Sequence, residues 1–230
     1  SYPPAGVADY TVMLMLMALR KAKLVDIASS YQDFGLRGKI GRSLDTCTVG
    51  VVGTGAIGEA VCERLAGFGC RIVACDPYPK DRLRECVEYL ELDELLACAD
   101  VVTLHAPGLP ENEHMIGAEQ FARMKDGAVI VNAARGALID TAALIDAVES
   151  GKVGAAALDT IEAEAGLYYL DCSRDALPNR DRAVLMSFPN VIVTPHMAFY
   201  TEEAIENMMG SNVEALLAFD ASEETRFEVK

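Results

Sequence analysis

Val49-Gly50-Val51-Val52-Gly53-Thr54-Gly55-Ala56-Ile57-Gly58 decides the fold of this chain. A run of small and β-branched apolar residues reads as a buried parallel strand. It breaks on Gly-x-Gly-x-x-Gly. Helical spacing follows from Glu59 to Phe68, a second apolar run spans Arg71 to Cys75, and Asp76 closes it. Strand, glycine turn, helix, strand and acid, in that order, form the βαβ unit that holds a dinucleotide. Gly53 makes the turn, Gly55 lets a pyrophosphate approach bare backbone, and Gly58 lets the helix pack close to the strand. The phosphates then lie over the helix N-terminus at Ala56 and Ile57, where free N–H groups and the dipole favour negative charge. Asp76 accepts from ribose hydroxyls and repels a 2′-phosphate, and Pro77-Tyr78-Pro79-Lys80 offers one Lys but no Arg beside it. NAD(H) is therefore expected over NADP(H).

Outward from this unit, strands and helices alternate. Strands are expected at 48–53, 71–75, 101–104, 128–132, 153–158 and 191–194, and helices at 56–67, 92–98, 118–123, 140–149 and 201–219. Before them, residues 7–29 carry apolar positions all round and read as one long, deeply buried helix. Repeated βα units of this length imply an α/β fold, a doubly wound parallel (Rossmann) sheet covered by helices on both faces. The segment from Ile161 to Pro189 breaks the rhythm, with a short helical stretch near 181–187. A long excursion at a strand's carboxyl end marks a functional loop. Ser222 to Lys230 reads as a charged tail.

A formal charge of −15 and a pI near 4.6 argue against nucleic acid and anionic membrane surfaces as partners. The apolar patch Val12 to Leu19 is too short to span a bilayer, and no signal peptide shows. Seven cysteines, an odd number never in Cys-x-x-Cys spacing, read as reduced side chains of a cytoplasmic protein. Three histidines argue against a metal cluster.

Ligands of a doubly wound sheet bind outside the carboxyl ends of its strands. There this sequence places Asn132-Ala133-Ala134-Arg135-Gly136, Asp159-Thr160-Ile161-Glu162-Ala163-Glu164 and Thr194-Pro195-His196 at three neighbouring tips. A guanidinium can hold a carboxylate bidentately and polarise the adjacent carbonyl. An imidazole kept protonated by a partner Glu can deliver a proton as hydride reaches the carbon. Spacing leaves Glu162 and Glu164 both open for that partner.

These motifs, with the glycine turn, resemble those of the NAD-dependent D-2-hydroxyacid dehydrogenases from residue 1 to about residue 219. The resemblance implies that Arg135 binds the substrate carboxylate, Glu164 is the partner acid and His196 the proton donor. It places Asp159 near the nicotinamide carboxamide, and Ala106, Pro107, Asn112, Ala133 and Ala134 along the cofactor. The Phe199-Tyr200 pair and the long excursion resemble the D-lactate dehydrogenase branch, including its vancomycin-resistance type. Phe199 would then wall the substrate side-chain pocket, and Tyr2 matches an active-site tyrosine. The implied activity is NADH-dependent interconversion of a 2-keto acid, pyruvate first, with its D-2-hydroxy acid, in a homodimer.

The family's members open with a separate substrate lobe, whereas this chain opens at Ser1-Tyr2-Pro3-Pro4. The expectation is an NAD-binding domain over 1–200 and a helix and tail over 201–230, the remnant of an otherwise missing substrate domain. Such a chain should bind NAD with little turnover. The alternative is a non-catalytic NAD-binding or regulatory module of the same family.

Overall fold

The computed structural model describes residues 3–174 and 179–220, with side chains to 216. Seven strands make one parallel sheet: β1 (Thr48–Val52), β2 (Arg71–Cys75), β3 (Glu88–Tyr89), β4 (Val101–Leu104), β5 (Ala128–Asn132), β6 (Val153–Leu158) and β7 (Val191–Val193). Their order is β3-β2-β1-β4-β5-β6-β7. Strand order reverses between β1 and β4, so the ligand crevice of such a sheet opens above that pair.

Alternation along each strand feeds two separate cores. Val49, Val51, Ile72, Ala74, Val129, Val131, Ala155 and Ala157 point to one face. There they meet α1 (Pro4–Leu19) and α3 (Ala56–Ala66). Val73, Val102, Leu104, Ile130, Ala156 and Leu158 point to the other. That face is covered by α4 (Leu92–Cys98), α5 (Ala118–Arg123), α6 (Thr141–Glu149) and α7 (Arg180–Ser187). Gly50 sits where a Cβ would come within 2.5 Å of a Leu95 methyl, so its missing side chain sets how closely α4 packs. The last helix, α8 (Glu202–Asp220), buries only Ala204 among its described side chains.

The structure divides the helix expected at 7–29. Lys21 adopts a left-handed backbone (φ 52°), which ends α1 and starts α2 (Ala22–Ser30) in a new direction. α1 buries Val7, Ala8, Thr11, Val12, Leu14, Met15, Ala18 and Leu19, whereas no residue of α2 is buried. What holds α2 is polar: the Lys23 ammonium donates to the carbonyls of Met186, Phe188 and Val191 at 2.7–2.8 Å. The sequence reading also passed over β3, a two-residue edge strand. The tail beyond residue 220 lies outside the described residues.

Candidate active site

The glycine turn is closed where it must be and open where a ligand must come. Gly53 has φ +90°, and a Cβ on Gly58 would lie 1.9 Å from the Gly53 carbonyl oxygen. A Cβ on Gly55 would meet nothing within 4 Å, so this backbone borders open space. Gly55 also begins α3 without any side-chain cap, leaving N–H groups to an anion. At the end of β2, Asp76 Oδ2 accepts from Thr54 N at 2.5 Å and Thr54 Oγ1 at 3.0 Å, and Oδ1 accepts from Tyr78 N at 2.7 Å. The acid expected at the ribose thus also fixes the turn. These residues fit a dinucleotide.

A cavity of about 340 Å³ opens beside Gly55 and Ile57. Ala106, Pro107, Ala133, Ala134, Arg135, His196 and Phe199 line it, so most of the residues singled out from sequence meet on one wall. Others lie off that wall, Gly53, Gly58, Asp76 and Glu164 among them. Ala56 lies at the start of α3 but not on this wall. Asn112 donates to the Pro107 carbonyl at 2.9 Å, bracing the loop behind the wall. Asp159 is fully buried beneath it, with no open face toward the cavity. Its carboxylate takes Thr194 Oγ1 at 2.5 Å and the N–H groups of Met197 and Ala198 at 2.9 and 2.8 Å. Its own carbonyl accepts from His196 N at 2.8 Å, so it builds the loop that carries the imidazole. Tyr2 lies outside the described residues.

The tips hold one another. Buried Asn132 donates to the Arg135 carbonyl and accepts from Ala134 N. A Cβ on Gly136 would fall 2.1 Å from the Ile161 carbonyl, so only glycine lets the Arg135 loop lie against the acidic one. His196 Nδ1 and Glu164 Oε1 are 2.9 Å apart. With a carboxylate at Nδ1, the proton sits on that nitrogen and Nε2 is the remaining donor position. His196 (φ 56°) and Ala163 (φ 53°) both have left-handed backbones, strain of the kind that clusters at functional sites. Tyr169, not singled out from sequence, donates from its hydroxyl to the His196 carbonyl at 3.1 Å. Its ring and that of Phe199 flank the imidazole at centroid distances of 6.3 and 6.0 Å.

The two candidate acids separate cleanly. Glu162 is bound to His114 Nε2 at 2.6 Å and to Thr141 N at 2.8 Å, which leaves Glu164 as the partner of His196. The Glu162 carboxylate raises the His114 imidazole above its usual value. Burial pushes Glu162 up, but the bonds from Thr141 and His114 outweigh it and hold the carboxyl low. His105 also lines the cavity. Burial pushes it down to about 4. Its Nε2 faces Thr103 Oγ1 at 3.0 Å while its buried Nδ1 has no protein partner, an orphan a ligand or water can satisfy.

Residues 12–198 match the family described as D-isomer specific 2-hydroxyacid dehydrogenase, NAD binding domain. A D-specific alpha-keto acid dehydrogenase of Enterococcus faecalis is 46% identical over 222 residues, covering 96% of this chain and 68% of that protein. An aromatic 2-oxoacid reductase of Clostridium sporogenes is 43% identical, covering 96% and 67%. The crystal structure of a D-lactate dehydrogenase from Treponema pallidum superposes with a TM-score of 0.94 at 37% identity, over 100% of this chain and 70% of that one.

Proposed function

This chain belongs to the NAD-dependent D-isomer-specific 2-hydroxyacid dehydrogenases, and we propose from that premise that it reduces pyruvate or a close 2-keto acid to the D-2-hydroxy acid. One geometry carries the reading: His196, held at Nδ1 by Glu164, faces a cavity that Arg135 and the open Gly55 turn also border. NADH, when bound, supplies the hydride that reaches the carbonyl carbon. Arg135 holds the substrate carboxylate and draws density from the neighbouring carbonyl. His196 delivers a proton from Nε2 to the carbonyl oxygen, while Glu164 at Nδ1 fixes the orientation of the ring. Phe199 bounds the side-chain end of the substrate. The test is NADH oxidation with pyruvate, 2-ketobutyrate and 2-ketoisocaproate. His196→Gln should lower kcat by about a hundredfold or more while NADH affinity holds; activity that survives the change removes His196 as the donor.

The chain spans 68% of its Enterococcus relative, and we propose that alone it binds NADH well and turns over slowly, because closure over the substrate is incomplete. NADH binding with no turnover on any keto acid would instead favour a binding or regulatory module. We further propose a homodimer and a cytoplasmic location. No described helix is long and apolar enough to cross a membrane. All seven cysteines are unbridged, which suits a reducing compartment. Large apolar side chains stand exposed on both helices of residues 7–29, Met13 on α1 and Val25 and Ile27 on α2, and more fully after α2, where Tyr31, Phe34, Leu36 and Ile40 are 83, 77, 89 and 83% exposed.

A further inference from the structure

Three cations lie between Asp76 and Tyr89, close in sequence to the ribose end of the cofactor site: Lys80, Arg82 and Arg84. None points into solvent unpaired. Lys80 Nζ lies 2.8 Å from Glu59 Oε2, and the Arg82 guanidinium pairs with the same carboxylate. Arg84 pairs with Asp81 at 3.1 Å and stands over the Tyr89 ring. Glu59 directly follows Gly58 on the first turn of α3, and its side chain is only 8% exposed. The segment is tied to the turn itself. Lys80 N donates to Tyr89 Oη, Tyr89 Oη to Thr54 Oγ1, and Thr54 Oγ1 to Asp76.

We propose that Glu59 is a specificity-determining residue that keeps the site selective for NAD(H) over NADP(H) by sequestering Lys80 and Arg82. A 2′-phosphate needs cations beside the ribose, and an arginine near the acid commonly supplies one. Here two suitable cations are present in that connection but both are paired with Glu59 on α3, Lys80 half-buried and Arg82 with its side chain still largely exposed. A buried carboxylate cannot be left unpaired without a large cost, so Glu59 keeps its partners and a phosphate must compete for them. Asp76 repels the extra phosphate; Glu59 withholds what would attract it. The inference needs the cofactor site alone, not the keto-acid chemistry.

Fluorescence titration with NADH and NADPH tests it on the chain as it stands, with thermal melts as a check on folding. Glu59→Gln should lower the ratio of NADPH to NADH dissociation constants about tenfold, the gain of one charge-assisted phosphate contact. Adding Lys80→Met and Arg82→Met to that variant should return the ratio to its original value. Arg82→Met alone, with Glu59 present, should change the ratio less than about twofold. This arm stands even if Glu59→Gln fails to fold. An unchanged ratio in folded Glu59→Gln overturns the proposal. So does a gain that persists without the two cations, or selective loss of NADPH in Arg82→Met. If the unaltered chain does not bind NADH, the cofactor site itself fails and the proposal with it.

Discussion

At the scale of single residues, the buried polar groups carry the sharpest consequences. His105 titrates near 4 in the folded chain because burial disfavours its charge, against about 6.5 when unfolded. Between those values the unfolded chain takes up a proton that the folded chain refuses, so stability falls as pH drops from about 6.5 to about 4, then levels off. The full loss is about 3 kcal/mol. Urea melts at about pH 7 and about pH 4.5 should show a gap that shrinks in His105→Asn. An equal gap in both proteins would mean His105 is not the group responsible. His114 works in the opposite sense: its raised value favours the folded state below about pH 6.5 and that contribution fades as pH rises through the folded value. Asp159→Asn turns a carboxylate with three donors into an amide that must point an N–H at one of them. It should cost about 2–3 kcal/mol, read as a lower melting temperature. Arg135 and His196 stood out in the sequence because chemistry-bearing residues recur at strand tips, whereas spacing left Glu162 and Glu164 both open and the structure pairs Glu164 with His196. The place of Asp159 could not, since the N–H groups that bury it come from Met197 and Ala198, far along the chain.

At the scale of elements, β2, β4, β5 and β6 were legible to the residue because short apolar runs between polar punctuation have few other readings. The division of the first helix was not. Apolar spacing continues across Arg20 and Lys21, and nothing in it signals a left-handed lysine, a conformation costing about 1–2 kcal/mol outside glycine. β3 escaped because two residues cannot show alternation; its pairing with β2 comes from the sheet edge rather than from its own side chains. The same division makes α2 depend on Lys23. Burial lowers that ammonium's value, and its three protons go to three carbonyls at the end of α7 and the start of β7. Lys23→Met keeps the apolar stem and removes the donors. It should destabilise by about 2 kcal/mol and speed amide exchange around α2 and Met186–Val191 before the rest of the sheet. Uniform exchange across the molecule would show that α2 is held by something else.

At the scale of the whole molecule, the two ends of the sheet have different surfaces. The carboxyl ends carry the cavity with Arg135 and His196. Toward the amino ends, Ile40 joins Met17, Leu19, Val129 and Ile192 around a second hollow of about 300 Å³. Of the exposed apolar side chains of residues 31–40, Ile40 lines that hollow, and a second copy docked there would leave the cavity at the carboxyl ends open. Two copies each carrying −15 repel, and screening relieves that repulsion. Burial of Phe34 and Leu36 contributes about 1.5–3 kcal/mol per side chain whatever the salt. Association should therefore tighten as salt rises, the reverse of a dimer held by ion pairs. Sedimentation equilibrium at low and high salt reads this directly. Phe34→Asp with Leu36→Asp should yield a monomer that binds NADH as the unaltered chain does. A dimer that loosens with salt, or survives both changes, would place the contact on another face.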